Sequence, residues 1–136
     1  MNHKAKGECT EAILIAEFIK KGYRVSVPFG DNQRYDLVVE MRHGILARVQ
    51  CKTAHWENEK IVFSVSSIYT NSRGSRRVDY QGQVDYFAVH CYETGKSYLI
   101  PISVVGKTDC TLRLTPASKK NGSVSLQAKD YEIPGL

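Results

Sequence analysis

The sequence predicts an α/β fold, in which one amphipathic helix at the N-terminus precedes a sheet of at least four strands. Three observations predict it: apolar residues at helical spacing near the start, alternating apolar segments between turn residues afterwards, and a length of 136 residues with 42% hydrophobic content. A chain of this size and composition can bury one hydrophobic core but scarcely two. We therefore expect a single domain of residues 1–136.

The helix is predicted from apolar residues that recur three and four positions apart. These residues are Cys9, Ala12, Ile13, Ala16 and Ile19. The segment "KGECTE" leads into this pattern from Lys6. Basic residues followed by glycine are typical of a helix C-terminus, so "KKG" at residues 20–22 predicts where the helix ends.

Short alternating segments after the helix predict strands. A cluster of turn residues at 29–32 separates the first two, and "RHG" at residues 42–44 predicts the hairpin that joins the next pair. The predicted strands of the first half are 23–27, Tyr35–Glu40, Ile45–Lys52 and Ile61–Ser66.

The second half begins with a polar, basic segment from Tyr69 to Gln83, which we interpret as an exposed loop too long for a tight hairpin. Strands are predicted again at residues 84–92 and 96–102, on either side of a turn at 93–95. A short helical turn is predicted at 101–105, a last short strand at 111–114, and a loop at 116–122.

Composition favours some partners and disfavours others. Lysine and arginine total 19 against 14 acidic residues, a net charge of +5 that favours an anionic partner. No apolar segment is long enough for a membrane span or a secretion signal. The four cysteines are far apart among apolar neighbours, as in a protein of the reducing cytoplasm, and the four histidines show no zinc-binding spacing.

Polar residues interrupt two of the predicted strands at nearby positions. In a strand, Gln50 and Lys52 share one face about 7 Å apart, whereas Val49 and Cys51 point to the opposite, packing face. Asp36 begins the neighbouring strand of the hairpin, where a twisted or bulged strand end can bring its carboxylate beside Gln50. The sequence thus predicts that three polar groups converge at one end of the hairpin.

These groups suit the hydrolysis of a phosphodiester. Asp36, Gln50 and the backbone carbonyl of Cys51 offer oxygen ligands to a hard divalent cation, and Lys52 offers a positive charge for phosphate oxygens. Glu11 on the helix is a further candidate, holding a metal-bound water. We choose it over Glu8, which suits the helix start electrostatically, and over Glu17, which lies one face away.

Read together, these residues resemble the PD-(D/E)XK nuclease superfamily, here with "QCK" as the triplet. A closer resemblance, over nearly the whole chain, is to the group of this superfamily that includes homing endonucleases associated with group I introns. It rests on "KGECTE", "GYRVSVPFGDNQRYDLV", "RVQCKTA", "VDYFAVHCYETGKSYLIPI" and "LRL". The resemblance implies a restriction-endonuclease-like core, with the N-terminal helix packed on a mixed central β-sheet.

The resemblance also implies the active-site residues. The family's helix acid falls on Glu11, its metal aspartate on Asp36, its triplet acid or amide on Gln50 and its lysine on Lys52. Tyr35 replaces the proline of the superfamily name. The neutral Gln50 replaces an acid, so cation affinity should fall. Mg²⁺ is the expected metal, with Mn²⁺ as an alternative.

Basic and amide side chains outside this cluster are candidates for binding DNA. Arginines can hold phosphates and glutamines can read base edges, although a charged loop is more simply a solvated surface. The candidates are Arg73, Arg76, Arg77, Gln81 and Gln83 in the basic segment, Gln33 and Arg34 before the aspartate, and Lys119 and Lys120 near the C-terminus.

The sequence therefore predicts a cytoplasmic, Mg²⁺-dependent endonuclease that hydrolyses phosphodiester bonds in double-stranded DNA. One active site cuts one strand, so double-strand cleavage requires a homo-oligomer, a dimer or a tetramer. Two alternatives remain open: a Holliday-junction resolvase or another repair or restriction nuclease, and a catalytically inactive DNA-binding module.

Overall fold

The computed structural model describes residues 1–30, 32–116 and 125–136, with residues 68–71, 77 and 79 described by their backbone alone. The single long helix, α1, extends over His3–Lys20 and the strands follow it. The strands are β1 Arg24–Ser26, β2 Leu37–Glu40, β3 Leu46–Glu57, β4 Lys60–Ser64, β5 Ser66–Asn71, β6 Gly74–Asp79, β7 Tyr86–Cys91, β8 Lys96–Pro101, β9 Asp109–Arg113 and β10 Leu126–Gln127. Short 3₁₀ helices occupy Arg42–Gly44, Ile102–Val104 and Ala128–Asp130.

Helix α1 begins earlier than its apolar pattern predicts, because the side chain of Asn2 caps it by accepting a hydrogen bond of 2.8 Å from the backbone N–H of Ala5. The apolar pattern that predicts the helix does not coincide with its buried face. The side chains that α1 buries are Thr10, Leu14 and Phe18, whereas Ile19 is 58% exposed. Apolar residues nearly surround the helix between residues 12 and 16, so the sequence pattern alone does not fix which face packs on the sheet.

The sheet is organised around β3, which has a different partner along each part of its length. Its first residues pair antiparallel with β2, residues 49–54 pair parallel with β7, and its last residues pair antiparallel with β4. Strands β1 and β8 extend the sheet antiparallel beyond β2 and β7, while β9 and β10 continue it beyond β4. The predicted mixed sheet is confirmed.

Two hydrophobic clusters cover the two faces of this sheet. On β7, Ala88 belongs to the cluster under α1, whereas Phe87 and Val89 belong to the opposite cluster. Val49 and Cys51 of β3 pack on the α1 side. Gln50 and Lys52 must therefore face the other side, as the strand alternation predicts.

The predicted loop at 69–83 was mostly wrong, because β5 and β6 form a separate antiparallel hairpin there. Its strands are joined by Ser72 and Arg73, and Gly74 adopts a φ of +120° that suits glycine. A hairpin outside the main sheet has no need of a continuous apolar face, so its polar composition concealed both strands. The helical turn near residue 102 and the strand near residue 111 are confirmed. None of the helices in the described part of the chain has the length and apolarity needed to span a membrane.

Candidate active site

Asp36 lies where β2 and β3 begin to separate, one residue before β2. Its backbone N–H donates a 2.9 Å hydrogen bond to the carbonyl of Val49, which continues the ladder between the two strands. Its Oδ2 accepts a 3.0 Å hydrogen bond from the backbone N–H of Cys51. The aspartate is thereby fixed to the middle residue of the triplet.

The environment of Asp36 is unfavourable for a buried charge. Burial raises the pKa of its carboxyl above the usual value, while the bond from Cys51 and the positive charge of Lys52 act in the opposite direction. Lys52 thus lies within electrostatic range of Asp36. A carboxylate that is partly stripped of water and still faces a cation is typical of a functional site.

Glu11 reaches the same site from α1. Its side chain is half-buried, and burial, followed by the negative charges of Asp36 and Glu8, raises the pKa of its carboxyl. Glu17, which competed for this role in the sequence, forms a 3.1 Å ion pair with Lys20 on the surface. The structure therefore brings Glu11 and Asp36 close enough to repel each other, and an added cation would relieve that repulsion.

The thiol of Cys51 faces the same carboxylates. Burial raises its pKa well above the usual value, and the charges of Asp36 and Glu11 raise it further. The thiol is therefore protonated at neutral pH and acts as a packing group under α1. Sequence reasoning placed Cys51 on the packing face but gave no sign that this thiol borders two acids.

Gln50 presents a polar atom without a partner. Its Oε1 is buried and accepts no hydrogen bond from any described residue. A buried carbonyl oxygen left unsatisfied costs about 1–3 kcal/mol, so such an atom in a native protein calls for a ligand that the chain itself does not supply. An oxygen-seeking cation or a bound water fits this position.

The candidate donors are of one chemical kind. Asp36 and Glu11 contribute carboxylates and Gln50 an amide oxygen, which are ligands for hard cations such as Mg²⁺ and Mn²⁺. Among the described residues, no group of three histidine, cysteine or acidic side chains is arranged to hold a metal. The amide and the backbone carbonyl of Cys51 would have to complete any metal site.

Lys52 lies on the opposite face of β3 from Cys51, against a tyrosine. Its Nζ donates a 3.4 Å hydrogen bond to the hydroxyl of Tyr80 and lies 5.0 Å from the centre of that ring. Arg34 approaches the same ring, with its Cζ 4.0 Å from the centre. Nothing in the sequence connects these three residues, because only the fold brings them together.

The candidate DNA-binding residues of the basic segment lie on the β5–β6 hairpin and in the turn that follows it. Arg73 and Arg76 are exposed on the β5–β6 hairpin, and Gln81 and Gln83 are exposed in the turn that follows β6. The backbone of Arg77 lies in β6, but its side chain is outside the described part of the structure. Lys119 and Lys120 also lie outside the described residues.

Gln33 and Arg34 differ from each other. Gln33 is exposed, with its amide 3.4 Å from the carbonyl of Phe29. Arg34 is half-buried and donates a 3.0 Å hydrogen bond to the hydroxyl of Ser67 at the start of β5. Arg34 therefore connects the segment before β2 with the base of the basic hairpin.

A helix acid, an aspartate where two strands separate and a Q-x-K triplet on a mixed sheet define the core of a nuclease. The chain belongs to the PD-(D/E)XK endonuclease family, whose model matches residues 1–134. It is similar in structure to the bacterial homing endonuclease I-Ssp6803I, with a TM-score of 0.72 and 27% identity over 97% of this chain and 89% of that one. Comparison with curated protein sequences gave no match.

These findings confirm the predicted fold class and the predicted resemblance to PD-(D/E)XK homing endonucleases. They identify the chain as a nuclease of a family whose members generally use divalent metal ions. They assign no role to any individual residue, so the candidate roles rest on the contacts described above.

Proposed function

We propose that this protein is a divalent-metal-dependent endonuclease that hydrolyses phosphodiester bonds in double-stranded DNA, in the manner of a homing endonuclease. One observation carries the proposal. The carboxylate of Asp36 is bonded to the backbone of Cys51, within electrostatic range of Glu11 and Lys52 and next to a triplet whose Gln50 Oε1 has no partner among the described residues.

The residues present fit a hard cation, most simply Mg²⁺ and alternatively Mn²⁺. Asp36, Gln50 and the backbone carbonyl of Cys51 would hold it directly, and Glu11 through an intervening water. When bound, such a cation polarises a phosphoryl oxygen and supports the formation of a hydroxide nucleophile. The unsatisfied oxygen of Gln50 and the repulsion between the two acids support this assignment.

In the proposed reaction, a water oxygen attacks phosphorus and the bond from phosphorus to a bridging oxygen breaks. The water loses a proton to solvent and the leaving oxygen gains one, so the products are a phosphomonoester end and a hydroxyl end. Negative charge accumulates on the phosphoryl oxygens as this happens, and a fixed ammonium group beside them stabilises it. Lys52 supplies that group or orients the attacking water. Asp36 and Glu11 must be ionised to act as ligands.

DNA is the proposed substrate because the chain belongs to an endonuclease family and carries exposed basic side chains. Arg73 and Arg76 are exposed on the hairpin, and Arg34, which precedes Tyr35 and Asp36, donates a hydrogen bond to Ser67 at the start of the hairpin. Arginines there, with Arg77, Lys119 and Lys120, would hold phosphates, while Gln33, Gln81 and Gln83 would approach base edges. In this proposal, the residues that bind DNA are different from the residues that hydrolyse it.

Three further properties follow as parts of the proposal. Cleavage of both strands needs two active sites, which favours a homo-oligomer, a dimer or a tetramer. A cytoplasmic location is supported by the four cysteines, all in the described part of the chain and all free thiols. A single domain of residues 1–136 is supported by β3, because this one strand contributes side chains to both hydrophobic clusters.

The test uses supercoiled plasmid carrying a random duplex library, and separately a four-way junction, each with Mg²⁺, Mn²⁺ or EDTA. We expect metal-dependent cleavage of duplex DNA at selected sites by the wild type and none by Asp36→Asn. Cleavage confined to the junction would instead identify a resolvase. Binding without cleavage of either substrate would identify an inactive DNA-binding module. Sedimentation of the protein with and without DNA measures the oligomeric state.

A further inference from the structure

Tyr80 is a buried tyrosine that directly contacts the proposed catalytic machinery. It is 4% exposed and lies just after β6, where the basic hairpin returns to the main sheet. Its ring packs edge-on against Phe87 of β7, with the centres 5.4 Å apart. From the sequence, Tyr80 is expected to pack and to form hydrogen bonds at the base of the basic segment, and the structure shows that two cations contact its ring as well.

Two cations lie against this ring. The ammonium of Lys52 is within 3.4 Å of the hydroxyl and 5.0 Å of the ring centre, and the guanidinium of Arg34 is 4.0 Å from the same centre. A tyrosine ring attracts cations through its negative face, and its hydroxyl accepts a hydrogen bond. Tyr80 therefore constrains a flexible lysine that would otherwise choose among many rotamers.

Tyr80 is itself firmly held. Its carbonyl accepts backbone hydrogen bonds from Gln83 and Val84, at 3.0 and 3.3 Å. The turn is closed by Asp85, whose carboxylate accepts bonds from the backbone and the guanidinium of Arg48 on β3, at 2.7 to 3.3 Å. The tyrosine is thus tied to the same strand that carries the triplet.

The position of Lys52 matters because Asp36 competes for it. The positive charge of Lys52 acts to lower the pKa of Asp36, yet within the described part of the chain no ion pair joins the two side chains. An ammonium that paired with Asp36 would neutralise a metal ligand and would be withdrawn from the phosphate. The contact with Tyr80 holds the ammonium at the hydroxyl instead.

We propose that Tyr80 is a positioning residue for the nuclease reaction, one that keeps the Lys52 ammonium off Asp36 and available to the scissile phosphate. The inference rests on the proposed function, since it assigns a task to Lys52 within that reaction. It also links the base of the basic hairpin to the active site, because Arg34 shares the ring and bonds to Ser67 of β5.

The test compares Tyr80→Leu and Tyr80→Phe with Phe63→Leu. Phe63 is a matched control, because it is buried in the same cluster and packs against the same Phe87 ring at 5.9 Å. The first readout is the single-turnover cleavage rate at saturating DNA and metal. We expect a loss of about 10-fold to 100-fold for Tyr80→Leu, since small displacements of catalytic groups have effects of this size. A loss of a few-fold is expected for Tyr80→Phe and none for Phe63→Leu.

The second readout does not depend on activity. In the metal-free wild type, the ring current of Tyr80 should displace the NMR signals of the Lys52 side-chain methylene groups. The displacement should persist in Phe63→Leu and disappear in Tyr80→Leu. Equal rates for Tyr80→Leu and Phe63→Leu, or Lys52 signals that do not respond to Tyr80→Leu, would overturn the inference while leaving the proposed function intact.

Two other outcomes are also decisive. If Tyr80→Leu does not fold, Tyr80→Phe decides, because loss of the hydroxyl contact must by itself lower the rate, and an unchanged rate overturns the inference. If the wild type does not cleave DNA although its Lys52 signals are displaced, the proposed function fails. The positioning role then fails with it, and the contact between the two residues remains as a structural feature only.

Discussion

The carboxylate of Asp36 and the backbone N–H of Cys51 form a 3.0 Å hydrogen bond across the point where β2 and β3 separate. This bond fixes one candidate metal ligand, Asp36, against the triplet that carries two others, the Gln50 side chain and the Cys51 carbonyl. Because of this bond, the negative charge of Asp36 and its role as a hydrogen-bond acceptor can be tested by different substitutions. An asparagine keeps an oxygen acceptor for the bond and loses the charge, whereas an alanine loses both.

Asp36→Asn and Asp36→Ala should both abolish metal-dependent cleavage, by at least about 100-fold, because neither supplies a carboxylate to the cation. Their stabilities should differ. Loss of the acceptor leaves the N–H of Cys51 unpaired, at a cost of about 1–3 kcal/mol in Asp36→Ala alone. Cleavage assays and unfolding in denaturant measure the two effects. Cleavage by Asp36→Asn at the wild-type rate would contradict the assigned site.

Lys52→Ala should lose cleavage and keep metal binding, because an ammonium group is no ligand for Mg²⁺. A ligand that binds the folded state stabilises it by about 2.7 kcal/mol at a concentration 100 times its dissociation constant. We therefore expect added Mg²⁺ to raise the melting temperature of the wild type and of Lys52→Ala, but not of Asp36→Ala. A folded Lys52→Ala variant without this response would rule out the assigned role of the lysine.

Gln50→Glu should raise the affinity for Mg²⁺ by about tenfold, because a carboxylate replaces a neutral amide oxygen among the ligands. Without metal, the variant should be less stable than the wild type, since a third negative charge joins Asp36 and Glu11. Gln127→Glu is a suitable control, because it adds the same charge on β10, outside the candidate site. Calorimetric titration measures the affinity. Equal affinities of the two variants would show that Gln50 lies outside the metal site.

Glu11→Gln should stabilise the metal-free protein at neutral pH. The pKa of Glu11 is raised in the folded state above 4.5 by burial and by Asp36, so the folded state binds the proton more tightly than the unfolded state does. The free energy of unfolding therefore falls as the pH rises from 4.5 through the raised pKa of Glu11 in the folded state. Well below 4.5 this loss is absent. The gain in melting temperature should therefore vanish in acid.

Glu17→Gln provides the comparison for this experiment, because it removes an acid from the same helix that is paired with Lys20 on the surface. It should not stabilise the protein at any pH. Melting curves in EDTA across the pH range test both variants. A gain for Glu11→Gln that is as large in acid as at neutral pH would show that electrostatics is not its cause.

Replacement of Arg73, Arg76 and Arg77 by alanine should weaken DNA binding and flatten its salt dependence. If each contacts one phosphate, the slope of log affinity against log salt becomes shallower by roughly 2.7, at about 0.9 per contact. The rate of cleavage at saturating DNA should remain close to that of the wild type, because these residues lie outside the Glu11, Asp36, Gln50 and Lys52 cluster. Titrations at several salt concentrations measure the slope.

Three exposed lysines outside the β5–β6 hairpin give a control of equal charge: Lys21, Lys107 and Lys129. Their replacement should change the slope less than the arginine triple variant does. Superimposable slopes for wild type and arginine variant would show that the hairpin is only a solvated surface. An arginine that reads a guanine edge would instead reveal itself as a loss of about 1–3 kcal/mol at one base position.

The helix, most of the strands, the resemblance to PD-(D/E)XK nucleases and the two faces of β3 could be predicted from the sequence alone. These features depend on local periodicity and on short motifs, which the order of residues carries directly. Alternation along one strand is enough to place Gln50 and Lys52 together and Cys51 opposite. A hairpin is enough to bring Asp36 beside them.

Three features could not be predicted from the sequence: the buried face of α1, the hairpin at residues 66–79, and the contacts of Tyr80 with Lys52 and Arg34. All three depend on packing between distant parts of the chain. A helix with apolar residues on several sides and a hairpin with polar strands carry no strong periodic signal, so packing against distant strands sets their arrangement. The Tyr80 contact joins residues far apart in the chain, and it exists because β3 and β7 pair in parallel and bring the turn before β7 to the side of the triplet.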